Sequence, residues 1–470
     1  MGISSAFNSS VSGLATTSRW ADLTAGNIAN ASNEGYVRKN LVTQSSVTGG
    51  VFVTGISREV DSNLDRMFRF EIAGVARQEV IANELDGYSF QLGNPSDTLS
   101  MSGQLSQFYA GFGLLSNSPG DVSLQNNVLA TAKGLTRSLN EASNSLAQTR
   151  TNVSAGIQND VSTVNNRLNT IASLNAQIML ESAPTERRAI LQDERAAEMD
   201  ALSQLMNINV SQDTDGNLNI STGGGTQLVD RNAAFEIAYD PGLKTLSVGG
   251  VDIIPGRVGA RGFSEGRLAG RFELLNDALP QMQLQLDELA RALIQGFEAT
   301  DASLAPGQAG LFTDLGAAYN PLQLDGLAGR LSVNTAVDPN TGGALWRLRD
   351  GIGAVAQGPA SDSTQTISFL TVFETAQSFD PQAGLGSTAE LMNYVSGMVT
   401  DQKLVQVQAQ EKLRELGGRA EAVGAARQSV QGVNLDTELQ KLTLIEQSFA
   451  ANAQVIQSLT QMIDSLLAAV

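Results

Sequence analysis

From Leu435 to Val470 an apolar residue returns at every seventh position, at Leu435, Leu442, Phe449, Ile456, Ile463 and Val470, with Ile445, Leu459 and Leu466 three places further on. A stripe with that period keeps one side of a helix toward a partner helix. Asn434 precedes it as an N-cap, and Asp436 and Glu438 occupy the first turn, where the helix dipole favours carboxylates. The N-terminus carries a weaker copy of the pattern: Phe7, Leu14, Ala21 and Ile28 are spaced by seven, and Ile3, Val11 and Ala25 run beside them. The spacing predicts a helix from Ile3 to Ala31 whose Phe7, Leu14 and Ile28 lie opposite the C-terminal row. Gly13 and Gly26 fall inside it. Each costs about 1 kcal/mol against alanine, so they either mark close approach by a neighbour or are simply tolerated.

Between the ends the period changes several times. Gly35 to Arg58 alternates Val and Thr around Gly49-Gly50 and reads as extended or hairpin structure. A helix is predicted from Asn63 to Tyr88. Val122 to Met206 is strongly helical, with Val153, Ile157, Val161, Val164, Leu168, Ile171 and Ile178 near a period of 3.6 and Pro184 at a turn between helices. The period then drops to two at Leu218/Ile220, Phe235/Ile237/Tyr239, Leu246/Val248 and Val251/Ile253, punctuated by glycine-rich turns, so 207–262 reads as a compact β domain. Helix returns at Gln281 to Glu298. Thr300 to Ser387, rich in Gly, Pro and Asp, reads as loops and short strands, and Glu390 to Val430 as helix. The expected fold is mainly α with an inserted β domain. Its terminal helical part is 1–33 with 431–470, followed by an extended linker and helix over 34–88. A helical middle domain spans 89–206 with 263–430, and 207–262 is inserted into it. This nesting brings both termini together.

Composition narrows the chemistry. There are 48 acidic and 30 basic residues, a formal charge of −18, which repels phosphate backbones and anionic lipid. No nucleic acid or membrane partner is expected, and no cleavable leader is read in the first twenty residues. The chain has no cysteine and no histidine, which removes disulfides, thiolate and imidazole metal ligands and the usual Ser/His/Asp base. No catalytic residue, cofactor or metal is assigned.

Two constellations bear on that absence. Ser211, Asp213, Asp215 and Gly216 resemble half of a calcium loop, but Thr222 stands where the bidentate glutamate belongs, so a hairpin turn is the better reading. Asp193, Glu194, Glu198 and Asp200 gather on one helix beside Arg187, Arg188 and Arg195. Paired carboxylates can serve glycoside hydrolysis, yet beside three arginines they read as a solvated, salt-bridged face.

The ends also carry motifs. Ser12-Gly13-Leu14, Asn27-Ile28-Ala29-Asn30 and Gly35-Tyr36-Val37-Arg38 resemble the N-terminal signature of flagellar rod, hook and hook-associated proteins. Gly432 to Asp436 and Ala451 to Ile456 resemble the matching C-terminal signature. The interior, notably Leu191 to Arg195, Met199 to Leu202 and Arg330 to Asn334, is similar to the hook-filament junction family. That resemblance implies a structural subunit exported unfolded through the flagellar channel without cleavage and located outside the cell. It further implies a cytosolic export chaperone on the C-terminal helix, ring-like assembly with copies of itself, and contacts with the hook protein and the second junction protein. The alternatives are a hook subunit or the second junction protein, and a secreted glycan hydrolase on an axial scaffold. The expected assembly residues are Phe7, Leu14, Ile28, Leu435, Leu442, Phe449, Ile456 and Ile463.

Overall fold

The computed structural model describes residues 2–33, 35–46, 49–94, 97–181, 183–213 and 217–468. Two sequence features, Val470 at the end of the heptad row and the Asp215-Gly216 turn, lie outside the described residues.

Along the chain, α1 (Ile3–Ala29) leads into the antiparallel hairpin of β1 (Lys39–Ser45) and β2 (Val51–Arg58), with a register shift at Val42/Thr43. Four helices follow: α2 (Ser62–Leu92), α3 (Met101–Asn117), α4 (Val122–Leu180) and α5 (Glu186–Leu205). Seven strands come next: β3 (Ile208–Gln212), β4 (Leu218–Thr222), β5 (Gln227–Asp230), β6 (Ala233–Ala234), β7 (Ile237–Asp240), β8 (Thr245–Val248) and β9 (Val251–Asp252). After them α6 (Arg267–Glu273) passes through a π-type turn at Leu274–Ala278 into α7 (Leu279–Thr300). Pro280 in the first turn of α7 has no N–H to continue the regular ladder. The chain continues through β10 (Phe312–Asp314), the one-turn α8 (Leu327–Arg330), β11 (Leu331–Val333) and the one-turn α9 (Arg347–Asp350). It then forms α10 (Thr364–Glu374), β12 (Gln377–Ser378) and β13 (Thr388–Ala389), and closes with α11 (Leu391–Gln431) and α12 (Leu435–Ala468).

These elements form two compact units. The first holds 1–77, 159–269 and 413–470, the second 78–158 and 270–412. In the first, the 207–262 segment, read as a compact β domain, folds into two sheets, a four-stranded β3-β4-β5-β6 and a three-stranded β7-β8-β9. Both are tied to α4 by asparagines. Asn165 accepts from Ile237 N and donates to its carbonyl oxygen, while Asn175 donates to the carbonyls of Leu218 and Arg231.

The second unit is built on a nest of rings. Phe108, Phe112, Phe297, Phe312, Phe369 and Phe373 are buried, and Phe108 lies edge-on to Phe112, Phe312 and Phe373 at 5.1 to 5.5 Å, the favoured arrangement of aromatic quadrupoles. Three of the six come from α3 and α7, and two from α10, a three-turn helix inside the stretch expected to be loops and short strands.

Candidate assembly interface

In the first unit α1 and α12 pack side by side in opposite directions. Asn27 on α1 donates to Glu438 Oε2 at 3.1 Å, and a Cβ on Gly13 would meet the Asn452 side chain at 2.9 Å. Fourteen residues separate Asn27 from Gly13, and fourteen separate Glu438 from Asn452 in the opposite sense, which fixes the register. Gly13 therefore does mark close approach, whereas nothing stands within 4 Å of a Cβ on Gly26.

The residues that face the partner helix are not those of the apolar row. On α12 the buried positions are Glu438, Ile445 and Leu459, with half-buried Asn452 completing the same heptad register. On α1 they are Ser10, Thr16, Thr17, Leu23, Thr24 and Asn27, of which Thr16 and Leu23 lie against the hairpin. Small and hydroxyl-bearing side chains let the two backbones approach, and the serine and threonine hydroxyls are satisfied by carbonyls one turn back, as Ser10 is by Ala6 and Thr17 by Gly13.

The expected row consequently lies on the flank of the pair. Leu435, Leu442, Phe449 and Ile463 are 37 to 49% exposed and Ile456 is half-buried. Phe7 is exposed, and Leu14 and Ile28 are half-buried. The structure thus does not bury the two apolar rows against each other. Leu439, Val455, Met462 and Leu466 on α12, with Ile3, Val11 and Trp20 on α1, extend the exposed apolar surface, far more than scattered surface leucines account for.

A buried polar knot anchors the pair. Besides Glu438, Asn27 Nδ2 donates to the Lys39 carbonyl at 3.0 Å, while Asn27 Oδ1 accepts from Tyr36 Oη at 2.9 Å and Lys39 N at 3.1 Å. Glu438 is fully buried and also accepts from Lys441 Nζ at 2.7 Å. Burial, aided by the negative charges of Asp193, Glu186 and Glu438, pushes the Tyr36 phenol up to about 12, so it stays a donor. The hairpin is held by α1, where Val51 N donates to Ser12 Oγ, and by the connection between α4 and α5, where Ile56 N donates to the Pro184 carbonyl at 2.7 Å. Two-stranded ribbons are marginal alone, which is why both strands need such anchors. The hairpin turn uses Gly49 and Gly50 at φ of 92° and 95°, and a Cβ on Gly50 would strike Ser12 Oγ.

The acidic cluster of α5 is tied to other elements rather than to its own arginines. Asp193 pairs with Arg58 at 2.6 Å and Lys39 at 3.3 Å, Glu198 with Arg167 at 2.7 Å, and Asp200 with Arg69 and Arg427, each at 2.7 Å. Arg195, expected on a solvated face, is buried and donates to Asn175 Oδ1 at 2.6 Å. Burial, with Arg58, Arg188 and Arg69 nearby, lowers its pKa to about 10. These carboxylates fix α5 to the hairpin, α2, α4 and α11.

Of the residues at this site, Gly13, Asn27, Tyr36 and Asn452 fall inside the terminal motifs, and the fold pairs the motifs of one end with those of the other. Lys39 and Glu438 carried no comparable signal. As an isolated acid in a first turn, Glu438 read only as a dipole partner.

A solved structure of the flagellar hook junction protein FlgK from Burkholderia pseudomallei aligns with a TM-score of 0.44 and 22% identity, covering 53% of this chain and 46% of that one. The family described as the flagellar hook-associated protein FlgK helical domain matches residues 91–306. Flagellar hook-associated protein 1 of Bacillus subtilis (strain 168) is 22% identical over 94% of this chain and 94% of its own length. The Escherichia coli (strain K12) protein of the same name is 22% identical over 99% of this chain and 100% of its own. With relatives aligned over almost its whole length and the helical-domain match in its interior, the chain is similar to flagellar hook-associated protein 1 from end to end.

Proposed function

We propose that this chain is an axial structural subunit that joins hook to filament, and that the exposed rows of α12 and α1 are the surfaces through which copies assemble. The observation that carries the reading is the division of labour on α12. One heptad register, Glu438, Ile445, Asn452 and Leu459, is taken by α1, while Leu435, Leu442, Phe449, Ile456 and Ile463 remain uncovered in the single chain. Covering these five half-exposed side chains contributes on the order of 5 kcal/mol per subunit, enough to favour a ring of neighbours over a free chain. On this reading the chain is exported unfolded and kept from premature association by a cytosolic chaperone on α12. It then contacts the hook protein on one side and the second junction protein on the other. The carboxylates of α5 serve as structural ion pairs and not in glycan hydrolysis.

Replacing Phe449 and Ile456 with aspartate tests it. We expect cells carrying the variant to bear hooks without filaments and to shed filament protein. The unfolding midpoint of the second unit should match the parent's. Normal filaments on such cells would remove α12 from the assembly interface.

A further inference from the structure

The charges of the terminal pair are few and one-sided. Before Glu34 the only charged side chains are Arg19 and Asp22, and α12 carries Asp436, Glu438, Glu446 and Asp464 against Lys441. Glu438 and Lys441 satisfy each other within the chain. Among the described residues Arg19, Glu446, Asp436 and Asp464 have no ion pair, so a single cation faces several anions on the exposed surface of the pair.

Geometry selects among those anions. Arg19 lies six residues past Gly13, and Glu446 six residues before Asn452, the residue that Gly13 meets, so the two stand at one height on the pair. They nevertheless leave it on opposite sides. At roughly 100° per residue, Arg19 falls about 140° from the line of α1 contacts through Gly13, Thr17 and Thr24. Glu446, one residue past buried Ile445, falls about 100° from the α12 contact line, and the antiparallel sense carries it to the other flank. Leu442 and Phe449 of the exposed row are its neighbours at i−4 and i+3. Arg19 in turn lines a cleft of about 460 Å³ together with Leu23, Leu41 and Ile56 and with the carboxylates of Asp22 and Glu186.

We infer that in the assembled structure Arg19 pairs with Glu446 of a second copy lying beside it at equal height. The inference rests on the assembly reading above. A cation on one flank and an anion level with it on the other is the arrangement a head-to-tail contact repeats around a closed ring. Asp436 and Asp464 lie about 15 and about 27 Å further along α12, beyond the reach of an arginine at that height.

The test uses the full chain in cells lacking the parent gene. R19E and E446R should each reduce attached filaments at least tenfold, and the R19E/E446R double variant should restore at least half of the parent's number. Because the chain has no cysteine, R19C and E446C chains expressed together and treated with a short bis-maleimide should give a covalent dimer from isolated flagella. Either chain alone should give none. Single reversals that assemble like the parent, a folded double variant that fails to rescue, or linkage of R19C to D436C or D464C in place of E446C would each overturn the pairing. If F449D/I456D abolishes filaments while R19E does not, only the pairing fails. If the parent chain itself is absent from the hook-filament junction, the assembly reading fails with it.

Discussion

Asn27 makes four hydrogen bonds with two side-chain atoms and binds three segments at once, the end of α1, the entry to β1 and the first turn of α12. Alanine there removes the partner of the buried Lys39 N–H and of Glu438 Oε2, while Lys441 keeps Oε1, at about 1 to 3 kcal/mol per unsatisfied group. We expect N27A to lower the stability of the first unit by on the order of 2 kcal/mol or more in denaturant unfolding, with the second unit unaffected. The second unit has its own buried polar centre at Asp287. Its carboxylate accepts from Gly326 N and Ala328 N, both at 2.8 Å, and from Gln283 at 2.9 Å. Burial outweighs those hydrogen bonds, and with Asp325 nearby the pKa rises to about 6 from an ordinary value of 3.8. A raised folded-state pKa means the folded chain holds a proton that the unfolded chain has released. Stability from this group is therefore complete below about pH 4 and is lost as pH climbs to about 6. Unfolding of the second unit measured from pH 4 to 7 should show the parent losing stability relative to D287N across that interval. A constant difference would mean that Asp287 titrates normally.

At the scale of the element, α12 presents two heptad registers with different work. Ile445 is 6% exposed against α1, whereas Leu442, three residues earlier, is 37% exposed. Aspartate at Ile445 places an unpaired charge in the α1 contact, so I445D should free α12 and raise amide exchange along both helices of the isolated chain. L442D should leave that exchange at parental values and act only on assembly. Equal protection in both variants would show that the pair is held by the polar knot alone. The existence of α12, its cap at Asn434, which accepts from Thr437 N at 3.0 Å, and the hairpin at 39–58 were all legible in the chain. The contact face was not. A search for apolar periodicity finds Phe7, Leu14 and Ile28, while the helix packs through Ser10, Thr17 and Thr24, whose signal is smallness. α10 was missed for a related reason: Ile367, Phe369, Leu370, Val372 and Phe373 among threonines form a nearly continuous, β-prone run with no clear helical period. α3 lies inside the stretch read as helical middle domain, but its own bounds were not marked: Met101, Leu105, Phe108, Phe112 and Leu115 keep helical spacing, while Gly103, Gly111 and Gly113 weaken the pattern.

Across the whole molecule, the two units divide inside α2, α4, α6 and α11, where a periodic pattern runs on unchanged and no linker composition marks the change. The β segment is different, because its ends are clasped. Asn207 N donates to the Glu265 carbonyl at 3.0 Å, and Asn207 Oδ1 accepts from Ser264 N and Glu265 N at 2.8 and 2.9 Å. The chain thus leaves α5 and returns to α6 through adjacent residues, and a short Gly/Ser linker can replace 208–264 without moving either helix. Its removal exposes Asn165 and Asn175, whose lost partners water can replace. The α4–α5 contact through Leu174, Ile178 and Leu191 keeps its own cluster. None of the exposed rows of α1 and α12 belongs to the excised segment. We therefore expect the shortened chain to fold, to be exported and to support attached filaments at numbers close to the parent's, counted by electron microscopy. A shortened chain that is folded and exported yet leaves hooks bare would place an assembly contact on the β sheets, and the terminal helices would then not suffice to join the two polymers.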